Sequence, residues 1–179
     1  MSYSIEEHKH RFASWAAGRA ASVKGCRFKV GQAKNILESA GLRTISLSVQ
    51  NLPPRDFFDI EHKKWRTCII AAANKQDLSF THGIAAKLIN IYLKSIFVCG
   101  GAHEDPKIRA IHPPIDSLLL DDLYRLNIGN RRKEWNEARK TRWSKLDSDS
   151  YECLIKAIKF SVPEGAGLWE IEESWQGHQ

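Results

Sequence analysis

Apolar positions along this 179-residue chain recur three and four apart, the spacing of one helix face, and hardly anywhere alternate as a strand would. Ser4 and Glu7 form a Ser-x-x-Glu capping box that opens a helix over 5–22. Ile5, His8, Phe12, Trp15, Ala16 and Arg19 share one face of it, which predicts that Phe12 and Trp15 pack in the core. The Ala-rich stretch 13–21 predicts close approach by another helix. A second helix is expected over 30–40, stopped by Gly41. Residues 42–49 alternate loosely but have no partner strand, so a connector or single helical turn is expected. Pro53-Pro54 opens the next helical stretch, with Asp56 and Asp59 where the helix dipole favours anions.

A helix over 60–74 should turn Trp65, Cys68, Ile69, Ala72 and Ala73 inward. A connection over 76–83 leads to a helix over 84–98 with Ile84, Leu88, Ile91 and Tyr92 buried, ended by Gly100-Gly101. Residues 100–114 read as a polar loop. An apolar helix over 115–127 follows, then Gly129, a basic segment over 130–145, a helix to about 160 capped by Ser148 or Asp149, and a last amphipathic turn over 166–176. The pattern predicts an all-α fold, residues 1–179 forming a single helical domain.

The length suffices for a sizeable core. Apolar content of 42% and charged content of 27% are those of an ordinary globular chain. The longest apolar stretch, near 88–100, is interrupted by Lys94, and the polar N-terminus lacks a signal-peptide core, so no membrane association is expected. Four well-separated cysteines predict reduced thiols and a cytoplasmic setting. The net charge of +6 is unevenly spread: residues 130–145 hold seven Lys/Arg against two Glu, whereas 161–179 hold four Glu and no Lys or Arg. A basic strip interleaved with Trp135 and Trp143 suits a phosphate backbone; a solvated helix face explains it equally well.

The stretch 81–120 carries the chemistry. Thr81-His82-Gly83-Ile84-Ala85, then Lys87 and Asn90, with Pro114-Ile115-Asp116 downstream, resembles the helix-hairpin-helix DNA glycosylases. That family's hairpin reads Leu-Pro-Gly-(Val/Ile)-Gly with a lysine two residues on, and its catalytic aspartate follows in a Pro-Val-Asp-type stretch. Here Thr81 stands for the usual Leu, His82 for Pro and Ala85 for the second Gly. Asp116 lies 29 positions after Lys87, which makes residues 100–113 an inserted loop.

The resemblance implies a two-lobed helical domain with a cleft between the lobes and the motif at about 60–98. Its implied activity is excision of a damaged or modified base by base flipping, with or without an AP-lyase step. The base could belong to host DNA in repair or to phage DNA in antiviral defence. Asp116 would stabilise the oxocarbenium-like sugar and Lys87 would attack C1′ or hold a phosphate. Thr81, His82, Gly83 and Ala85, with Arg131, Arg132, Arg139 and Lys140, would contact DNA. His10, Arg11, Phe12, Trp15 and His112 are candidates for the base pocket. The bland counterparts are an N-cap aspartate, a solvent-facing lysine and a non-catalytic hairpin. Cys99, His103 and His112 lack a fourth ligand at recognisable spacing, and the family's iron–sulfur cysteine cluster is absent. No metal and no cofactor are expected, and a monomer acting on DNA is the expected assembly.

Overall fold

In a computed structural model describing residues 3–177, the chain is all-α as expected, with no named strand among the described residues. Ser4 caps α1 (Ile5–Ala21) by accepting from the Glu7 amide. The buried face of α1 is not the expected one. His10, Ala13, Ser14, Ala17, Gly18 and Ala21 point inward, while Ile5, Phe12 and Trp15 lie on the exposed side. Two neighbouring helices pack tightly against α1, and large side chains do not fit between them. A Cβ added at Gly18 would stand 2.9 Å from the Ala33 Cβ on α2 (Val30–Ser39). Small residues therefore won the interface, and Phe12 and Trp15 rest on each other with ring centroids 5.9 Å apart.

Residues 42–49 hold one short helix, α3 (Leu42–Ile45), rather than a strand. A long helix, α4 (Phe58–Asn74), then leads through a turn to α5 (His82–Leu93), which starts two residues before its expected beginning because Thr81 Oγ1 accepts from the Ile84 amide. Wide π-type turns extend α5 over Lys94–Ala102, and the left-handed Gly101 closes them. The helical run His82–Ala102 is long and apolar enough to cross a membrane by length and composition, yet most of it is buried inside the protein.

Two apolar clusters organise the packing. The first gathers α1, α2, α4 and α5 around Ile36, Leu37, Phe58, Ile69, Leu88 and Tyr92. The second gathers α6 (Ser117–Arg125), α7 (Arg132–Lys140), α8 (Ser148–Lys159) and the 3-10 turns Leu168–Ser174 around Leu123, Trp135, Tyr151, Ile158 and Leu168. Each fully buried Leu or Ile contributes about 1.5–3 kcal/mol. Ala86 on α5 belongs to the second cluster, and Trp143 touches both.

The expected polar loop is polar only in its first part. Residues 111–115 are extended and buried, running beneath α5 before Asp116 caps α6. The cap of α8 is Asp147, whose Oδ1 accepts from the Ser150 amide, rather than Ser148 or Asp149.

Candidate functional site

One stripe of α5 faces the second cluster and is polar along its length. Gly83, Lys87, Asn90 and Lys94 recur four, three and four apart, so they stack along one side of the helix. Each reaches across the seam. The Gly83 amide donates to the Leu146 carbonyl at 3.1 Å, Lys87 Nζ donates to Asp116 Oδ2 at 3.3 Å, Asn90 Nδ2 donates to the Pro113 carbonyl at 2.9 Å, and Lys94 pairs with Glu172.

The expected pair thus meets, although 29 positions separate its members. Asp116 Oδ1 accepts from the Leu119 amide at 2.9 Å, so the residue is an N-cap and an ion-pair partner together. Lys87 is the deeper member, its side chain 9% exposed against 22% for Asp116, and its ammonium lies 4.3 Å from the Trp143 ring centroid. Lys87 is therefore not the solvent-facing lysine of the bland reading. Burial pushes its ammonium below the ordinary lysine value, and the adjacent Asp116 carboxylate opposes that shift.

The hairpin residues take a different role from the expected one. Phosphate binding at a helix start needs free amide donors. Here the Gly83 amide is bonded to Leu146, the Ile84 amide to Thr81 Oγ1 and the Ala85 amide to the Thr81 carbonyl. Thr81 Oγ1 itself donates to the Ser144 carbonyl. A Cβ at Gly83 would fall 1.8 Å from the Trp143 carbonyl oxygen, so the glycine is required by the chain's own segment 143–146. Thr81, Gly83 and Ala85 are committed to internal packing, and the half-buried His82 sits beside them.

One turn beyond Lys87, Asn90 belongs to a buried network whose proton positions follow from its acceptors. Asp59 Oδ1 can only accept, so His112 donates from Nε2 at 3.0 Å, which leaves Nδ1 to accept from the Tyr151 hydroxyl at 3.1 Å. The Asn90 amide nitrogen donates to Pro113 and to the Tyr151 oxygen, which turns Asn90 Oδ1 toward His62 Nε2–H at 2.8 Å. Burial holds both imidazoles below their ordinary value, and the His112 hydrogen bond holds the Asp59 carboxyl well below the usual carboxylate range. Arg66, also buried, lies over the Tyr151 ring and pairs with Glu152. His62, Arg66 and Tyr151 carried no motif, and only apolar spacing around them hinted at burial.

The five candidates for a base pocket do not form one. His10 is buried between the Tyr92 hydroxyl and Glu38, Arg11 pairs with Glu7, Phe12 and Trp15 are exposed, and His112 sits in the network above. Trp135 is a core residue, its Nε1 donating to the Ile128 carbonyl, and so offers no stacking platform.

The basic segment is a helix, α7, followed by an exposed turn. Arg131 pairs with Glu134, Arg139 with Asp121 and Lys140 with Glu137, while Arg132 lies near the Tyr124 ring. Arg139, Lys140 and Arg142 line a groove of about 330 Å³ together with Ser117 and the Asp121 that pairs with Arg139. Among the described residues no cluster of His, Cys, Asp or Glu has the geometry of a metal site. The chain matches no family model, no curated protein and no solved structure.

Proposed function

We propose that the protein is a DNA glycosylase of the helix-hairpin-helix type, with Asp116 and Lys87 as its reacting pair. The single observation that carries the reading is their meeting at 3.3 Å in the seam between the two apolar clusters. In this reading α4 and α5 are the helices of the motif, the clusters are its lobes and the seam is the cleft. Breaking an N-glycosidic bond builds positive charge on the sugar, and the more exposed Asp116 carboxylate is placed to stabilise it or to activate water. An amine whose charged form is disfavoured by burial would, with its proton passed to Asp116, attack C1′ as the C1′–N bond breaks and the base leaves; opening of the sugar ring then gives a Schiff base, and β-elimination of the 3′ phosphate is the lyase step. Trp143 covers Lys87, so a flipped nucleotide must displace it. In this reading the phosphates follow the Arg139–Arg142 groove, which Ser117 also lines, since the hairpin amides are occupied.

Duplexes carrying damaged bases, and the modified bases of phage DNA, test this by scoring abasic sites and nicks. Base release from at least one duplex is expected, abolished in Asp116→Asn, with a borohydride-trapped adduct lost in Lys87→Met if the lyase step operates. Release that survives Asp116→Asn removes this residue from the chemistry. One observation favours a second reading, a non-catalytic DNA-binding module: both Asp116 oxygens are already bonded within the chain. That reading gives salt-sensitive binding through Arg139 and Arg142 and no product.

A further inference from the structure

The end of α1 and the start of α2 enclose a cavity of about 380 Å³, within the range of roughly 300–1,000 Å³ that small-ligand pockets occupy. Local structure builds it. Val23 and Cys26 exchange backbone hydrogen bonds of 3.3 and 3.0 Å across a turn in which Gly25 takes a φ of 92°, so residues 27–29 run back past the last turn of α1. The Phe28 amide donates to Ser22 Oγ at 3.3 Å and ties the returning chain in place.

Three cations line this cavity, Arg19 from α1 and Arg27 and Lys29 from the returning segment, and no carboxylate does. None of the three forms an ion pair among the described residues. The groove beside Ser117 is the contrast, since Asp121 takes Arg139 there and Glu137 takes Lys140. Like charges gathered around one small space repel one another, and an anion between them relieves that repulsion. Val30 opens α2 in the same wall, so the positive dipole end of the helix adds to their field. Ser22 Oγ, accepting from Phe28, keeps its own O–H as a donor. The half-buried Phe28 ring, packed on Phe80 with centroids 4.9 Å apart, supplies an apolar wall.

We infer that this cavity binds the terminal phosphate of a phosphate monoester, with the organic part of the ligand against Phe28. A monoester carries about −1.5 to −2 charge at pH 7 and three acceptor oxygens, whereas a backbone diester carries a single charge. Three uncompensated cations and a hydroxyl donor match the monoester. The guanidinium forks of Arg19 and Arg27 suit its oxygens, and Lys29 adds a point charge. The assignment does not rest on the glycosylase reading, because neither Lys87 nor Asp116 lines this cavity. A free nucleotide and the phosphorylated end of a strand both carry the group.

Calorimetric titration of the full chain at pH 7 compares adenosine 5′-monophosphate with adenosine and with the diester adenylyl-adenosine. The monophosphate is expected to bind about tenfold more tightly than either, and the double variant Arg19→Gln, Arg27→Gln to lose most of that margin. Both arginines are exposed, so the variant should keep the wild-type circular dichroism. The groove variant Arg139→Gln, Arg142→Gln should bind the monophosphate as the wild type does. Mass spectrometry of acetylated peptides locates the ligand: the monophosphate should slow acetylation of Lys29 while the exposed Lys75 reacts as before. A monophosphate bound no better than adenosine or the diester overturns the inference. So does an affinity unchanged in the Arg19, Arg27 variant, an equal loss in the groove variant, or an unprotected Lys29. One tetranucleotide with and without a 5′-phosphate then identifies the source. A gain from the 5′-phosphate assigns the site to strand ends, and no gain assigns it to free nucleotides; either result keeps the phosphate assignment.

Discussion

Two rungs of the same helix, one turn apart, do opposite things with polar atoms. At Asn90 every donor and acceptor of the side chain is used, the partners are neutral, and the group is sealed. At Lys87 the partner is charged, one ammonium face rests on an indole, and the carboxylate reaches solvent. Around Asn90 the side chains are buried and bond mainly to one another, with His62 Nδ1 left without a partner, so the product of the network is geometry: it pins residues 111–115 and hence the start of α6. A charged pair beside solvent has an exchangeable proton and an approachable oxygen. In the proposed reading the first rung serves structure and the second chemistry.

Removing the first rung should cost most. Asn90→Ala strips partners from the Tyr151 oxygen, the His62 N–H and the Pro113 carbonyl, and a loss of about 3 kcal/mol is expected in urea unfolding. Lys87→Met keeps the packing length and leaves Asp116 partly solvated and bonded to the Leu119 amide, so it should cost less, about 1 kcal/mol. Equal losses at the two positions would erase the contrast.

Acid should strike the same rung. The unfolded chain protonates His62 and His112 near pH 6.5, whereas burial keeps the folded imidazoles neutral to lower pH. Their contribution is therefore fully present above about pH 6.5 and is lost as pH falls below it, at up to about 1.4 kcal/mol per unit for each histidine while its folded form stays neutral. Asp59, whose folded value is depressed, loses its own contribution only in the more acidic carboxylate range. Urea midpoints at pH 7 and pH 5.5 measure the slope; a flat profile would mean that the imidazoles are not sealed.

Gly83→Ala sharpens the comparison from the other side. The new Cβ collides with the Trp143 carbonyl, so segment 143–146 must lift, at about 2 kcal/mol. Lys87 should then become more reactive toward acylating reagents, read by peptide mass spectrometry, while the Asn90 rung stays protected in hydrogen exchange. The smallest effect belongs to the surface. Arg142→Ala should change stability by less than about 0.5 kcal/mol but lower the salt slope of DNA binding by about one.

Much of this was legible in the chain before folding was considered. The cap at Ser4, the glycines ending helices, and the approximate run of α4, α5, α6 and α8 follow from local rules, whereas the cap at Thr81 was not expected and moved the start of α5. The Lys87–Asp116 pairing was expected only from the resemblance, and the two side chains do meet at 3.3 Å. The buried face of α1 was not legible: hydropathy ranks Phe12 and Trp15 above Ala13 and Ala17, while close helix packing reverses that order. The covering of the start of α5 by segment 143–146 rests on backbone carbonyls, which leave no trace in residue type except Gly83. The Asn90 network joins residues 28 and 61 positions apart, beyond any local pattern.

The abasic-site yield of wild type and Asp116→Asn on the same modified duplex bears most directly on the reacting pair. Release is expected from the wild type and none above background from the variant, with the variant's unfolding free energy in urea within about 1 kcal/mol of wild type. Equal yields from the two proteins, or none from a folded wild type on any duplex tried, would contradict it.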